Sequence, residues 1–189
     1  LSQSHPHHAA SDRIDGIMRL LGGFRMGPFE LTDLIGQDVN AATTDTVWHR
    51  LGKPALLTPS KRQQGLVEQG SLGRKAGRGV YIYDEEDNPE PAIDVSLEPY
   101  EPADKLRDAV SDFVQHATTE TADERDAYVF ARVLAALFAQ ALRARDRGIA
   151  GEAAIDTAMK YGVNYPKGPF EWMDEIGRPR VRALLEQLN

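Results

Sequence analysis

Two short segments of this 189-residue chain carry residue types from which a ligand site could be built. The first is Leu72-Gly-Arg-Lys-Ala-Gly-Arg-Gly79, in which glycines alternate with the basic residues Arg74, Lys75 and Arg78. Glycine lets a backbone approach a ligand closely, and basic side chains form charge-assisted hydrogen bonds with phosphate groups. The segment therefore indicates either a site for an anionic ligand or a tight turn whose bases pair with the acidic residues that follow it.

The second segment, Gly27-Pro-Phe-Glu30, occurs twice in the sequence. It recurs as Gly168-Pro-Phe-Glu171, at an offset of 168 − 27 = 141 residues. Further identities at this offset pair Ile14, Asp15, Met18, Asp33, Ile35 and Gly36 with Ile155, Asp156, Met159, Asp174, Ile176 and Gly177. So many identities without a gap indicate an internal duplication.

The repeated motif is typical of a helix start. Proline suits the first helical position, where its missing N–H would be unpaired anyway, and Glu30 and Glu171 then lie where the helix dipole favours negative charge. Phe29 and Ile35, like their counterparts, can face a core, and the glycine that follows ends the helix. Two interpretations stay open: the motif docks one helix on another, or it lines a ligand cleft in one of the copies.

Apolar periodicity predicts that helices position these segments almost throughout the chain. Besides the short helix that starts at the first motif, the predicted helices are 12–21, 38–51, 60–69, 105–117, 124–147, 151–161, 169–176 and 179–188. The longest, 124–147, has apolar residues on more than one side and is predicted to be buried. Only Val80-Tyr-Ile-Tyr83 is typical of a strand, so the predicted fold class is all-α with one short strand near residues 80–83.

The net charge of −7 is concentrated in one stretch. From Asp84 to Asp104 there are nine acidic residues, four prolines and no lysine or arginine. Such a composition cannot offset the entropy lost on packing, so residues 85–103 are predicted to be a linker. The linker separates a first domain, 1–84, from a second domain, 104–189. Because the first domain has no counterpart of the helix 124–147, it is predicted to be truncated at its N-terminus.

Composition excludes several classes of function. The chain has no cysteine, which rules out disulfides, thiolate metal sites and cysteine nucleophiles and favours a cytoplasmic location. The chain has no run of about 18 apolar residues, the length that would span a membrane, so no membrane is expected as a partner. Aromatic residues do not interleave with the bases of residues 50–78, so nucleic acid is not expected either. His5, His7 and His8 have no carboxylate nearby, so no metal site is predicted.

Two stretches of the chain, in this order, closely resemble the C-terminal domain of 3-hydroxyacyl-CoA dehydrogenases. The first is 22–39, which contains the motif Gly27-Pro-Phe-Glu30, and the second is 68–83, which contains the glycine-rich basic segment. The duplication makes the chain similar to bacterial members with two such domains, in particular the phenylacetate-degradation type that acts on 3-hydroxyadipyl-CoA. The fold that this resemblance implies is a tandem of two helical domains like the C-terminal domain of 6-phosphogluconate dehydrogenase.

The resemblance implies an oxidoreductase that converts a (3S)-3-hydroxyacyl-CoA to a 3-oxoacyl-CoA with NAD. In that family NAD and the catalytic His–Glu pair lie on an N-terminal Rossmann domain, and no Gly-x-Gly-x-x-Gly follows a predicted strand in this chain. We therefore expect no catalytic residue and no cofactor on these residues, and no activity of the chain alone. The implied partners are an acyl-CoA substrate, the Rossmann domain of the same protein and a second copy in a homodimer.

The resemblance also implies which residues meet the substrate. Met26, Gly27, Pro28 and Phe29 match the stretch that faces the acyl pocket in the family, and Arg74, Lys75 and Arg78 could meet the CoA phosphates. The second copy has Pro166 and Lys167 in place of Arg25 and Met26, so it is predicted to be structural. An alternative function stays open, in which the chain is a free-standing helical module that binds acyl-CoA or assists assembly without catalysis.

Overall fold

A computed structural model describes residues 10–54, 57–86, 88–91 and 103–188 of the chain, and these residues are mostly helical. The helices are α1 (Ala10–Gly22), α2 (Pro28–Ile35), α3 (Gln37–Arg50), α4 (Lys61–Glu68), α5 (Asp104–Ala117), α6 (Glu124–Asp146), α7 (Glu152–Gly162), α8 (Pro169–Ile176) and α9 (Arg178–Leu188). A 3-10 turn covers Arg74–Ala76, and the strands are β1 (Tyr81–Tyr83) and β2 (Pro89–Pro91). The predicted all-α class is confirmed, and each predicted helix is present with ends shifted by at most two residues.

The prediction of a single strand is wrong, because the acidic stretch returns along β1. Strand β2 pairs antiparallel with β1, with Ile82 opposite Glu90. The turn between them is closed by the Asp84 carboxylate, which accepts the backbone N–H groups of Glu86 and Asn88. An aspartate that bonds to the backbone two residues ahead is a common turn former, and the composition of the stretch hid this local signal. The rest of the predicted linker, apart from Ala103, lies outside the described residues.

The described residues divide into two compact units. The first contains the residues up to Asp15 and those from Met26 to Pro91, and the second contains Gly16–Arg25 and residues 103–188. The segment Gly16–Arg25, which the sequence assigned to the first domain, is therefore part of the second unit. Its side chains Ile17, Met18 and Leu21 are at most 5% exposed and belong to that unit's core.

The core of the second unit is built around α6. Asp123 caps this helix by accepting the backbone N–H of Asp126, and Phe130, Leu134 and Phe138 of the helix are fully buried. Helices α5, α8 and α9 pack against it, and their largest buried side chains in this core are Phe113, Trp172 and Leu184. By length and composition α6 could span a membrane, a test that the core helix of a soluble protein also passes.

The first unit has a smaller core of Leu66, Val80 and Tyr81, against which Phe29 and Tyr83 pack. Helix α2 lies against α3 and the 3-10 turn. The expectation that both copies of the repeated isoleucine face a core is half wrong, because Ile35 is 46% exposed whereas Ile176 is 1% exposed. In the second unit, helix α8 contacts the helices α5, α6 and α9. Among the described residues of the first unit, the equivalent helix α2 contacts fewer other helices.

Candidate functional site

The start of α2 is capped by an aspartate from another helix. Its N-cap residue is Gly27, which has no side chain to accept the free N–H groups of the first turn. Asp15 of α1 supplies the missing acceptor, because its Oδ1 accepts the N–H of Phe29 at 2.9 Å and its Oδ2 accepts the N–H of Glu30 at 2.9 Å. The Glu30 carboxylate in turn accepts the N–H of Gly27 at 3.0 Å, so the helix start is fully satisfied.

This capping arrangement explains why the motif begins with glycine. A Cβ atom on Gly27 would lie 2.2 Å from the Cβ of Asp15, so any other residue would push the carboxylate out of its place. The φ angle of Gly27 is −74°, which every residue type can adopt. The requirement for glycine is therefore one of space and not of backbone conformation.

The second copy repeats the arrangement. Asp156 accepts the N–H of Phe170 at 2.8 Å and that of Glu171 at 2.9 Å, and a Cβ on Gly168 would lie 2.3 Å from the Asp156 carboxyl carbon. In the sequence the two aspartates stand out only as repeated identities, with no role assigned to them. The available signal was the spacing, because in each copy an aspartate stands twelve residues before the glycine of the motif.

A second buried carboxylate, Asp33 in α2, accepts four hydrogen bonds. Its donors are the N–H groups of Val80 at 3.0 Å and Tyr81 at 2.9 Å, the Gln37 amide at 2.6 Å and the Tyr83 hydroxyl at 3.1 Å. Asp33 is fully buried, and buried carboxylates are stable only when hydrogen bonds replace their hydration. These bonds hold β1 against α2.

The glycines of the basic loop, residues 72–79, serve this contact. A Cβ on Gly79 would lie 2.2 Å from Oδ1 of Asp33, and one on Gly73 would lie 2.3 Å from the carbonyl oxygen of Asp33. Gly73 also has a φ angle of 96°, which side chains rarely allow. Both glycines thus let the loop approach α2, which favours the tight-turn interpretation for these two glycines.

The three bases of the loop are all exposed. Lys75 donates to both oxygens of Asp38 on α3, at 2.6 and 2.8 Å, and this contact lowers the pKa of the Asp38 carboxyl. The expected pairing of the bases with the acidic stretch is therefore replaced, for Lys75, by a pair with α3. Arg74 and Arg78 flank this ion pair on the same loop.

Burial shifts the pKa of Asp15 and of the two tyrosines whose hydroxyls donate to the buried carboxylates. Burial raises the pKa of Asp15 to about 6, although the N–H donors of α2 and the Tyr81 hydroxyl act in the opposite direction. Burial, and then the hydrogen bond to Asp15, raises the pKa of the Tyr81 phenol. Burial and the negative charge of Asp33 raise the pKa of the Tyr83 phenol. Both phenols are therefore donors at every physiological pH.

The predicted acyl-facing residues lie at the accessible end of α2. Met26, Pro28 and Phe29 are half-buried, whereas Gly27 is buried against Asp15. In the second copy, Lys167 takes the place of Met26 and forms an ion pair with Glu175. Phe170, the counterpart of Phe29, is 2% exposed. The first copy alone therefore offers a partly open apolar surface at the helix start.

Comparison with known proteins agrees with the sequence motifs. The family described as 3-hydroxyacyl-CoA dehydrogenase, C-terminal domain, matches residues 5–83 and 128–189. The 3-hydroxyadipyl-CoA dehydrogenase of Escherichia coli is 32% identical to this chain over an aligned length of 239 residues. The alignment covers 96% of this chain and 50% of that protein. The mitochondrial hydroxyacyl-coenzyme A dehydrogenase of Rattus norvegicus is 41% identical over 76 residues, or 40% of this chain and 24% of that protein.

The fold agrees as well. The crystal structure of 3-hydroxybutyryl-CoA dehydrogenase from Escherichia coli matches with a TM-score of 0.69 and 31% identity, over 95% of this chain and 50% of that one. The chain thus spans about half the length of the Escherichia coli relatives that it matches. The motifs, the helical fold and these matches together show that the chain belongs to the 3-hydroxyacyl-CoA dehydrogenase C-terminal domain family.

Proposed function

We propose that this chain is the C-terminal part of an NAD-dependent 3-hydroxyacyl-CoA dehydrogenase and forms one side of its acyl-CoA pocket. The observation that carries the proposal is the difference between the two helix starts: Pro28 and Phe29 of the first copy are half-buried, whereas Pro169 and Phe170 of the second copy are buried. In this proposal Met26, Gly27, Pro28 and Phe29 face the acyl group, and the loop faces the phosphates of CoA.

The placement of the two segments suits the shape of acyl-CoA. The acyl-facing residues precede α2 and form its first turn, whereas the loop contacts Asp33 and Gln37 near its other end. A helix of eight residues is about 12 Å long, so the two contacts lie well apart. The pantetheine arm of CoA likewise separates the thioester from the phosphates. We assign the phosphate contact to the exposed bases of the loop, of which Lys75 also pairs with Asp38.

The proposal assigns NAD to an N-terminal Rossmann domain of the same protein. NAD binding of that type needs a parallel sheet with a glycine-rich turn between a strand and a helix. Within the described ranges the one sheet is the antiparallel pair β1 and β2, and its glycine loop precedes β1. These residues therefore do not fit NAD, and the proposal gives them substrate contact without a catalytic group.

The names of the relatives suggest the substrate class. The curated bacterial relative is named for 3-hydroxyadipyl-CoA and the structural relative for 3-hydroxybutyryl-CoA, so we propose a short-chain 3-hydroxyacyl-CoA, with the 3-hydroxyadipyl compound of phenylacetate degradation as the first candidate. A cytoplasmic location and a homodimer belong to the same proposal. Sedimentation of the purified chain tests the dimer.

Calorimetric titration with 3-hydroxybutyryl-CoA tests the proposal. We expect the chain to bind the thioester and to form no NADH when NAD is added. Replacing both arginines of the loop, Arg74→Gln with Arg78→Gln, is expected to weaken binding about tenfold, which corresponds to about 1.4 kcal/mol.

Arg62→Gln is the matched control, because it removes one charge from an exposed position of the same unit, on α4. It should change the dissociation constant by less than about twofold. Equal effects of the loop and control substitutions would contradict the phosphate assignment. NADH production by the purified chain would contradict the assignment of catalysis to another domain.

A further inference from the structure

Tyr81 contacts both buried carboxylates of the first unit. Its side chain is 2% exposed, its hydroxyl donates to Oδ2 of Asp15 at 2.7 Å, and its backbone N–H donates to Oδ2 of Asp33 at 2.9 Å. One residue therefore links α1, through Asp15, to α2, through Asp33.

Each carboxylate in turn holds one of the two segments assigned to the substrate. Asp15 fixes the first turn of α2, because it accepts the N–H groups of Phe29 and Glu30. Asp33 fixes the end of the basic loop, because it accepts the N–H of Val80 directly after Gly79. The hydrogen bond from the Tyr81 hydroxyl to Asp15 therefore connects the strand that follows the loop with the acyl-facing turn.

We propose that Tyr81 is a positioning residue for acyl-CoA, which holds the acyl-facing turn at a set distance from the basic loop. This inference rests on the proposed function. A ligand that contacts two segments at once binds more tightly when their spacing is set before binding, because less freedom is lost on association. Tyr81 would therefore act on the fit of the acyl end while the loop holds the phosphates.

The second copy shows that the phenol is not needed to cap the helix. Asp156 accepts the equivalent two N–H groups, those of Phe170 and Glu171, at 2.8 and 2.9 Å. Helix α8 nevertheless starts at the equivalent proline. The bond from Tyr81 to Asp15 is therefore not required to start a helix of this kind, and its loss in Tyr81→Phe is expected to leave the first turn of α2 capped by Asp15.

Tyr83 offers a matched control on the same strand. Its hydroxyl donates to Asp33 at 3.1 Å, and Asp33 keeps three other donors when that hydroxyl is removed. The substitutions Tyr81→Phe and Tyr83→Phe therefore delete the same chemical group beside a buried carboxylate. Only the first of them breaks the connection to Asp15.

The experiment titrates the unsubstituted chain and both variants with 3-hydroxybutyryl-CoA and, separately, with CoA lacking the acyl group. We expect Tyr81→Phe to weaken binding of the thioester about tenfold, because the acyl-facing turn is then no longer held in place before binding, and to weaken binding of CoA by less than about twofold. Tyr83→Phe should change neither by more than about twofold. Circular dichroism of each variant confirms that it is folded.

The outcomes separate the two proposals. If the unsubstituted chain binds neither compound, the proposed function is overturned and the positioning role with it. If the chain binds the thioester but Tyr81→Phe weakens it no more than Tyr83→Phe does, the positioning role alone is overturned. Equal weakening of both compounds by Tyr81→Phe also overturns it, because a general loss of stability would act on either ligand.

Discussion

The two copies of the repeat start their short helix in the same way and differ at the aspartate five residues after the first helical residue. Asp33 is fully buried and accepts four hydrogen bonds, whereas its counterpart Asp174 is exposed and pairs with Arg178. The residue four positions after the aspartate also differs between the copies. It is the buried Gln37 in the first copy and Arg178 in the second. Hydrogen bonding to Arg178 lowers the pKa of Asp174.

The repeated phenylalanine shows the same divergence. Phe29 is half-buried, whereas Phe170 is 2% exposed and has the guanidinium groups of Arg145 and Arg178 at 5.6 and 5.9 Å from its ring centroid. Both arginines also bind Glu152, at 2.7 and 2.8 Å. In the second copy, an ion-pair network thus covers the helix start, whereas in the first copy the helix start is partly exposed. The features that both copies keep are those that form the helix, and those that differ mark the side proposed to meet a ligand.

The largest expected effect concerns the aspartates that differ. Asp33→Asn leaves an amide N–H₂ facing one of the backbone donors of β1, so we expect the first unit to lose about 3 kcal/mol of unfolding free energy. Asp174→Asn removes one partner of an exposed ion pair and should cost the second unit less than about 1 kcal/mol. Hydrogen exchange along a urea series reports on each unit separately. Similar losses in the two units would remove the distinction between the copies.

The next effect concerns the glycine that both copies keep. Gly27→Ala forces a Cβ against Asp15, which is fully buried and cannot move aside, and should destabilise the first unit by about 2–3 kcal/mol. Gly168→Ala makes the equivalent contact with Asp156, which is half-buried and can turn towards solvent, so about 1 kcal/mol is expected. The same urea series measures both. A larger loss for Gly168→Ala would contradict the view that the first site is the more rigid.

A smaller and more gradual effect is the pH dependence of Asp15. Its pKa in the folded chain is about 6, above the ordinary 3.8, so the folded state binds this proton more tightly than the unfolded state. The contribution of Asp15 to the free energy of unfolding is therefore largest below pH 3.8 and falls as pH rises to about 6, by at most about 3 kcal/mol. Asp15→Asn removes this titration. Parallel pH profiles for the variant and the unsubstituted chain would contradict the raised pKa.

The helices were predictable because their signals are local. Proline at the first position of α2 and α8, Asp123 before α6 and apolar residues at helical spacing each act within a few residues. The roles of Asp15 and Asp33 were not predictable, because the backbone N–H groups that they accept lie 14 to 48 residues away in the sequence. Gly79 illustrates the same limit: its place in the loop was evident, but the side chain that it accommodates was not.

The central claim is that acyl contact belongs to the first copy of the repeat. Its most direct test is photo-crosslinking of the chain with an acyl-CoA that carries a diazirine in the acyl group, followed by peptide mass spectrometry. The account predicts adducts on residues 26–29, reduced by an excess of 3-hydroxybutyryl-CoA. Adducts on residues 166–170 at equal or greater yield would contradict it.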